Sequence, residues 1–158
     1  MAYLEGVYWE LDGTIANTEL EAHLPAFNNA FRELDIDWNW DSKKYIQLLR
    51  INRGKNRIAH YSRLNNNHFS DDFIFKIHEK KQFHYLEYIK KNSVNVKPGV
   101  FRLIKELHRK KIRQFIVTSS SRNQVDLLVE NLFNGFNPFE FIISSEDVEL
   151  KNQIHCLI

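Results

Sequence analysis

From Gly6 to Leu11 the chain is apolar or aromatic apart from Glu10, and β-formers dominate, which predicts a buried strand. Asp12-Gly13-Thr14 then supplies turn chemistry. From about Thr18 to Tyr88 the rhythm changes to helical spacing. Leu24, Phe27, Phe31 and Leu34 recur at steps of three and four and mark one helix face. Asp37-Trp38-Asn39-Trp40-Asp41 reads as a polar-aromatic connection, with Asp41 or Ser42 as N-cap of a helix carrying Tyr45, Leu48 and Leu49. Asn52 to Asn56 is expected to break that helix, and another to begin near Arg57. A longer helix follows the Ser70-Asp71-Asp72 cap and runs through Phe75, Ile77, Phe83, Leu86 and Ile89.

After Lys97-Pro98-Gly99 the pattern alternates. Val100 to Lys110 predicts an amphipathic helix with Val100, Leu103, Ile104 and Leu107 inward. Ile112 to Val117 predicts a short strand tipped by Thr118-Ser119-Ser120-Ser121. A helix over Val125 to Leu132 and a strand over Phe139 to Ile143 complete the series. The order is strand, helical insert, helix, strand, helix, strand. It predicts an α/β fold, an open parallel sheet with a helical cap inserted after the first strand. The boundaries are 1–16 with 95–158 for the sheet and 17–94 for the cap.

Bulk properties narrow the function classes. With 158 residues the chain can bury one core, or one core plus a small insert. A net charge of +2 and scattered Lys and Arg residues argue against a nucleic-acid partner. No apolar run is long enough to span a bilayer, and the N-terminus has neither signal-peptide nor transit-peptide character. One cysteine, Cys156, excludes an intramolecular disulfide and a multi-cysteine zinc site. A cytoplasmic protein is expected.

In an open parallel sheet, ligands collect beyond the carboxyl ends of the strands. Glu10 and Asp12 close the first strand, and Thr118 with the serines closes the second, so both sets are expected at one crevice. A carboxylate there can take a phosphoryl group as an acyl phosphate. A second carboxylate can protonate the leaving oxygen and then activate water. Taken singly, each feature has an ordinary explanation: a solvated strand end, a turn, a serine loop, a surface histidine, helix-end charges. Their joint order and spacing point to ancestry.

"ELDGTIANTE" resembles the first motif of the haloacid dehalogenase-type phosphatases, normally Asp-x-Asp-Gly-Thr. The stretch from Thr18 to Tyr61 is similar to the CbbY (β-phosphoglucomutase-like) subfamily, which dephosphorylates sugar phosphates such as xylulose bisphosphate. "KPGVFRLIKELHRKKIRQFIVTSSS" carries the resemblance through the second motif, and "FIISSEDVELK" to about Lys151. The resemblance implies a HAD-like Rossmannoid core and a magnesium-dependent sugar-phosphate phosphatase. It places Glu10 at the nucleophile and metal-ligand position, and Asp12 at the acid/base position, with its carbonyl as a second ligand. Thr118 or Ser119 matches the hydroxyl that holds the phosphoryl group. Glu19, His23, Lys55 and Arg57 match substrate-recognition positions in the cap; Lys55 and Arg57 suit a distal phosphate.

Four departures qualify this. Glu10 is one methylene longer than the family's aspartate, which displaces its oxygen by roughly an ångström. Asn17 stands where the family usually has Asp. Arg53 replaces the first glycine of the cap's Gly-Gly-Lys loop, so a glycine-only backbone conformation is expected to be lost. After Lys151 the family's Lys-Pro segment and later acidic residues are not found, which implies a truncated core, an incomplete magnesium site and an exposed edge on the first strand. That edge is a candidate for self-association. "KNQIHCLI" can be encoded AAA AAC CAA ATC CAT TGT; one added A gives Lys-Lys-Pro-Asn-Pro-Leu, which resembles the family's third motif. A single-nucleotide frameshift, natural or from sequencing, is therefore expected, and the alternate frame downstream should encode an acidic Gly-Asp-Ser-like motif. The alternative to an impaired phosphatase is a degenerate, non-catalytic fragment of one.

Overall fold

The structure is a computed structural model that describes residues 4–147. Cys156 and the tail on which the frameshift reading rests lie outside the described residues. In chain order the elements are β1 (Gly6–Trp9), a π-helical turn (Glu19–His23), α1 (Leu24–Glu33), α2 (Ser42–Leu48), α3 (Gly54–Leu64), α4 (Asp71–Lys91), α5 (Val100–Arg109), β2 (Arg113–Val117), α6 (Arg122–Phe133), β3 (Phe141–Ile143) and a 3-10 turn (Ser145–Asp147). Backbone contacts divide the chain into two units. The sheet unit is Met1–Thr18 with Ser93–Ile158, and the helical unit is Glu19–Asn92.

In the sheet unit the strands are parallel and ordered β1-β2-β3, with Gly6 opposite Arg113 and Phe115 opposite Phe141. Among the described residues β1 is therefore an edge strand, and its Tyr8 is 68% exposed. Trp9 turns inward, and its indole N–H donates to Gln114 Oε1 at 3.1 Å. Two packing expectations are corrected here. Leu103 faces out rather than in, while Ile104 and Leu107 carry the buried face of α5. The helix α6 begins at Arg122, earlier than the apolar spacing suggests, because Ser121 and Gln124 form a reciprocal capping box.

The helical unit is organised around rings. Phe27, Phe31, Trp40 and Tyr45 are fully or almost fully buried, with Ile58 and Ile77 beside them. Phe31 meets Trp40 edge-on at 4.8 Å, and Phe27 lies the same distance from Trp40. Asn28 holds the Trp40 backbone at both ends, donating to its carbonyl and accepting from its N–H, each at 2.8 Å. Asp41 caps α2 through the Lys44 N–H, and Ser70 caps α4 through the Phe73 N–H.

Two local features have clear causes. Pro25 lies in the first turn of α1 and has no N–H to give the preceding turn, which widens to π geometry over Glu19–His23. The segment read as a break over Asn52 to Asn56 is corrected: α3 already begins at Gly54. A Cβ on Gly54 would stand 2.9 Å from the His78 ring, so only glycine lets α3 and α4 approach there. Arg53 before it has φ +70° and ψ +137°. The glycine-favoured conformation is kept, contrary to expectation, and is imposed on an arginine.

Candidate active site

The chemistry-bearing residues of the sheet unit gather at the ends of β1 and β2. Beyond Trp9 the chain turns sharply. The Ile15 and Ala16 N–H groups both donate to the Leu11 carbonyl at 3.0 Å, and Gly13 N–H donates to the Ala16 carbonyl at 2.9 Å. Gly13 takes φ +75° in this loop. Leu11, Ile15 and Ala16 are fully buried and anchor it, while Lys97 N–H donates to the Ile15 carbonyl at 2.8 Å.

Asp12 sits inside the loop with both carboxylate oxygens engaged. Thr18 Oγ1 donates to Oδ1 and Ser120 Oγ donates to Oδ2, each at 2.5 Å. Ser120 is itself fixed by its backbone: its N–H donates to Thr118 Oγ1 at 3.3 Å, and its carbonyl accepts from Ser145 N–H at 2.9 Å. Thr118 is buried and its N–H donates to the Ile143 carbonyl, whereas Ser119 is exposed. Glu10 is exposed, and its Oε1 accepts from the N–H of the next residue, Leu11, at 3.2 Å. The two carboxylates thus have different settings, one at the surface and one held by hydroxyls.

At the end of β3, the buried Ser144 hydroxyl donates to Asp147 Oδ2 at 2.8 Å. Glu146 accepts from the Arg122 N–H at 2.8 Å, at the start of α6. Burial pushes the Glu146 carboxyl up, but the Arg122 N–H, its own N–H and the hydroxyls of Ser144 and Ser145 together hold it below the usual range.

In the helical unit, the four residues singled out from sequence take three places, with Glu19 and Arg57 together at Tyr45. Glu19 accepts from the Tyr45 hydroxyl at 2.6 Å, and Arg57 Nη1 lies 3.5 Å from the same hydroxyl. Arg57 Nε donates to the Ile51 carbonyl. Lys55 instead lies 4.2 Å over the Phe75 ring, in an open groove of about 390 Å³ shared with Asp71 and Asp72. His23 is buried, stacked on Tyr85 at 4.2 Å, with Nδ1 2.7 Å from Lys81 Nζ. An ammonium can only donate, so Nδ1 accepts. Burial drives the His78 imidazole down to about 3, and the cations of Lys81, Lys55 and Arg57 push the same way.

Thr18, Ser120, His78 and Lys81 carry roles that the sequence patterns did not single out. Only Lys81 left a signal: it falls on the stripe of Ile74, Ile77, Tyr85 and Ile89, where a charge has to find partners.

Comparison with known proteins decides the ancestry. A family model described as haloacid dehalogenase-like hydrolase matches residues 7–154. The chain belongs to the haloacid dehalogenase-like hydrolases. Similar relatives are protein CbbY of Rhodobacter capsulatus, 34% identical over 94% of this chain and 66% of that protein, and the plasmid-borne protein CbbY of Cupriavidus necator, 33% identical over 80% and 52%. Among solved structures, a variant of CbbY from Rhodobacter sphaeroides in complex with xylulose-(1,5)bisphosphate matches with a TM-score of 0.76 at 31% identity, covering 91% of this chain and 64% of that one. The chain spans about half to two thirds of the length of these relatives. Its HAD-like α/β fold is that of the family.

Magnesium is a general feature of this hydrolase family. Among the described residues no group of three or more His, Cys, Asp or Glu side chains forms a metal-binding cluster. Glu10 and the Asp12 carbonyl do not by themselves make up a magnesium site, which needs near-octahedral oxygen donors. No helix among the described residues is long and apolar enough to cross a membrane.

Proposed function

We propose that this chain is built for phosphoryl transfer from a sugar phosphate, as a phosphoric monoester hydrolase, with turnover lowered by Glu10. The observation that carries the reading is the hydroxyl-held Asp12 two residues beyond Glu10, inside a matched hydrolase domain. In the first step a Glu10 carboxylate oxygen attacks phosphorus, the phosphorus–oxygen ester bond breaks, and Asp12 delivers a proton to the departing sugar oxygen. In the second, Asp12 takes a proton from water, the water oxygen attacks the acyl phosphate, and inorganic phosphate leaves with Glu10 restored. Thr118 or Ser119 holds the phosphoryl oxygens. Glu19, His23, Lys55 and Arg57 recognise the sugar and its distal phosphate, and the R. sphaeroides CbbY complex suggests a xylulose-bisphosphate-like molecule as first substrate to try. The cytoplasm is the compartment we assign.

Magnesium, supplied by the medium, is the cofactor the family leads us to assign, with Glu10 and Asp12 as its protein ligands in this chain. The test is phosphate release from xylulose 1,5-bisphosphate with magnesium, against the Glu10→Ala, Asp12→Asn double variant. Turnover no faster than that control defeats the enzymatic reading.

One observation favours a second reading, a non-catalytic remnant. The Glu10 carboxylate is turned onto its neighbour's N–H. This reading predicts weak or no magnesium binding by calorimetry; tight binding contradicts it. Under either reading, self-association through the β1 edge is a further proposal. A well-behaved monomer in size-exclusion chromatography removes it.

A further inference from the structure

We propose that a groove between α5 and the turn after α6 binds a nucleoside polyphosphate, at residues distinct from those gathered at the strand ends. The groove is open, holds about 570 Å³, and is lined by Phe101, Arg102, Lys105, His108, Arg109 and Phe136. That volume is in the range of small-molecule sites.

Its apolar part is a corner of two rings. The helix α6 ends in two successive left-handed residues, Asn134 at φ +46° and Gly135 at φ +83°. Phe136 follows, and its N–H donates to the Phe133 carbonyl at 3.0 Å. The Phe136 ring stands perpendicular to Phe101 at 6.4 Å, and His108 meets Phe136 edge-on at 5.4 Å. Phe101 is backed by the buried Phe133 at 5.9 Å. Two rings at right angles suit one flat group, which stacks on one face and meets the edge of the other. A nucleobase is such a group.

The charged part is a line rather than a point. Arg102, Lys105 and Arg109 follow one another on α5 at steps of three and four, so they share a side and span about 10 Å. All three are exposed, and among the described residues none of them forms an ion pair. The neighbouring carboxylate, Glu106, is held by Lys110 at 2.9 Å. Arg109 has an ordinary use, since a cation in the last turn complements the helix dipole. Arg102 does not. It lies in the first turn, where the dipole disfavours a cation and where α5 has no acidic residue. An anion in the groove accounts for its place. Lys105 rests over the Phe101 ring at 4.2 Å, and a flat group that takes that face frees the ammonium for phosphate. One phosphate meets only part of this line of cations, whereas linked phosphates can follow it.

The experiment is an amide NMR titration of the full chain in magnesium-free buffer. ATP is the probe, with adenosine and sodium triphosphate as its two parts. ATP should shift the signals of Phe101, Arg102, Lys105 and Phe136 saturably, and each part alone should bind at least about tenfold more weakly. Arg102→Glu should lower ATP affinity by about tenfold, the loss of one charge-assisted contact. It should not lower the melting temperature, because it suits the helix dipole. Lys43→Glu, the same charge change at an exposed position of the helical unit, should leave affinity at the parent value. Phe136→Leu should weaken adenosine and ATP alike. Shifts centred outside the groove overturn the proposal, as does an Arg102→Glu chain that binds ATP like the parent or no more weakly than Lys43→Glu. Triphosphate binding as tightly as ATP overturns it too, leaving only an anion patch. So does tighter binding of an acetylated Glu-Asp-Trp-Glu-Asp peptide in the groove, which would assign it to an acidic protein segment. No turnover is needed, so failure of the phosphatase reading would leave this result standing, and the reverse holds as well.

Discussion

The two units use polar groups in opposite ways. In the helical unit they are tied into the packing: Asn28 pins Trp40, Tyr45 gives its hydroxyl to Glu19, and His23 takes the ammonium of the buried Lys81. In the sheet unit they collect at the strand ends around one carboxylate, and the remaining edge of β1 is left without a neighbour among the described residues. One unit is stabilised by enclosing its rings and their polar partners; the other is organised to present oxygens. The difference teaches that damage in the first should be felt as stability, and in the second as chemistry.

The largest test of that contrast is Phe27→Ala. Phe27 is fully buried among Phe31, Trp40 and Tyr45. Its loss should cost about 3–5 kcal/mol in urea unfolding followed by tryptophan fluorescence. Asp12→Asn should cost no more than about 1 kcal/mol in the same measurement; a larger loss would erase the division of labour. Next comes Glu10→Asp. If one methylene is what limits the site, kcat for a sugar bisphosphate should rise on the order of a hundredfold. No gain would place the limit elsewhere.

A third, smaller effect is pH-linked. The His78 imidazole falls to about 3 from an ordinary value of 6.5. Above about pH 6.5 both folded and unfolded chains hold it neutral, and it contributes nothing to pH dependence. Below that, the unfolded chain binds a proton that the folded site refuses, so stability falls by about 1.4 kcal/mol per pH unit until roughly pH 3. His78→Asn should flatten this slope between pH 6.5 and 5 in paired melts, even if its absolute stability is lower. Equal slopes would show that His78 is not excluded from protonation. The smallest effect is Arg53→Gly. Releasing an arginine from φ +70° should stabilise the chain by about 1 kcal/mol. A loss of stability would mean that the arginine side chain outweighs its backbone strain.

Much of the fold was legible because its signals are local. Asp41 and Ser70 announce their helices by hydrogen bonds to residues three positions on, and the apolar stripe of α1 is a matter of spacing. Gly54 misled because glycine reads as punctuation, whereas here it is a close approach to a ring 24 positions later. Leu103 misled because a helix face was drawn one residue too wide. At the site, Glu10 and Asp12 could be singled out from a single motif, but the partners of Asp12 could not. The run Thr118 to Ser121 offers four hydroxyls of similar chemistry, and only the backbone path at the tip of β2 decides that Ser120 turns to Asp12. The Lys81–His23 contact spans 58 positions and two elements, so no spacing rule reaches it.

The register of β1 on β2 also dictates an order of events when the chain folds. Gly6 meets Arg113, so the first strand pairs with a partner about a hundred residues away. Closing so long a loop while it is disordered carries a large entropic penalty, and the pairing rewards it only at the end. The helical unit lies entirely inside that loop and is stabilised by nearer contacts, such as those between α1 and α4. If it condenses first, it shortens the effective loop, and β1 docks late. Pulsed hydrogen exchange should therefore show amides of α1 and α4 protected before those of Val7 and Trp9. The strand that carries the opening motif would be among the last to become native.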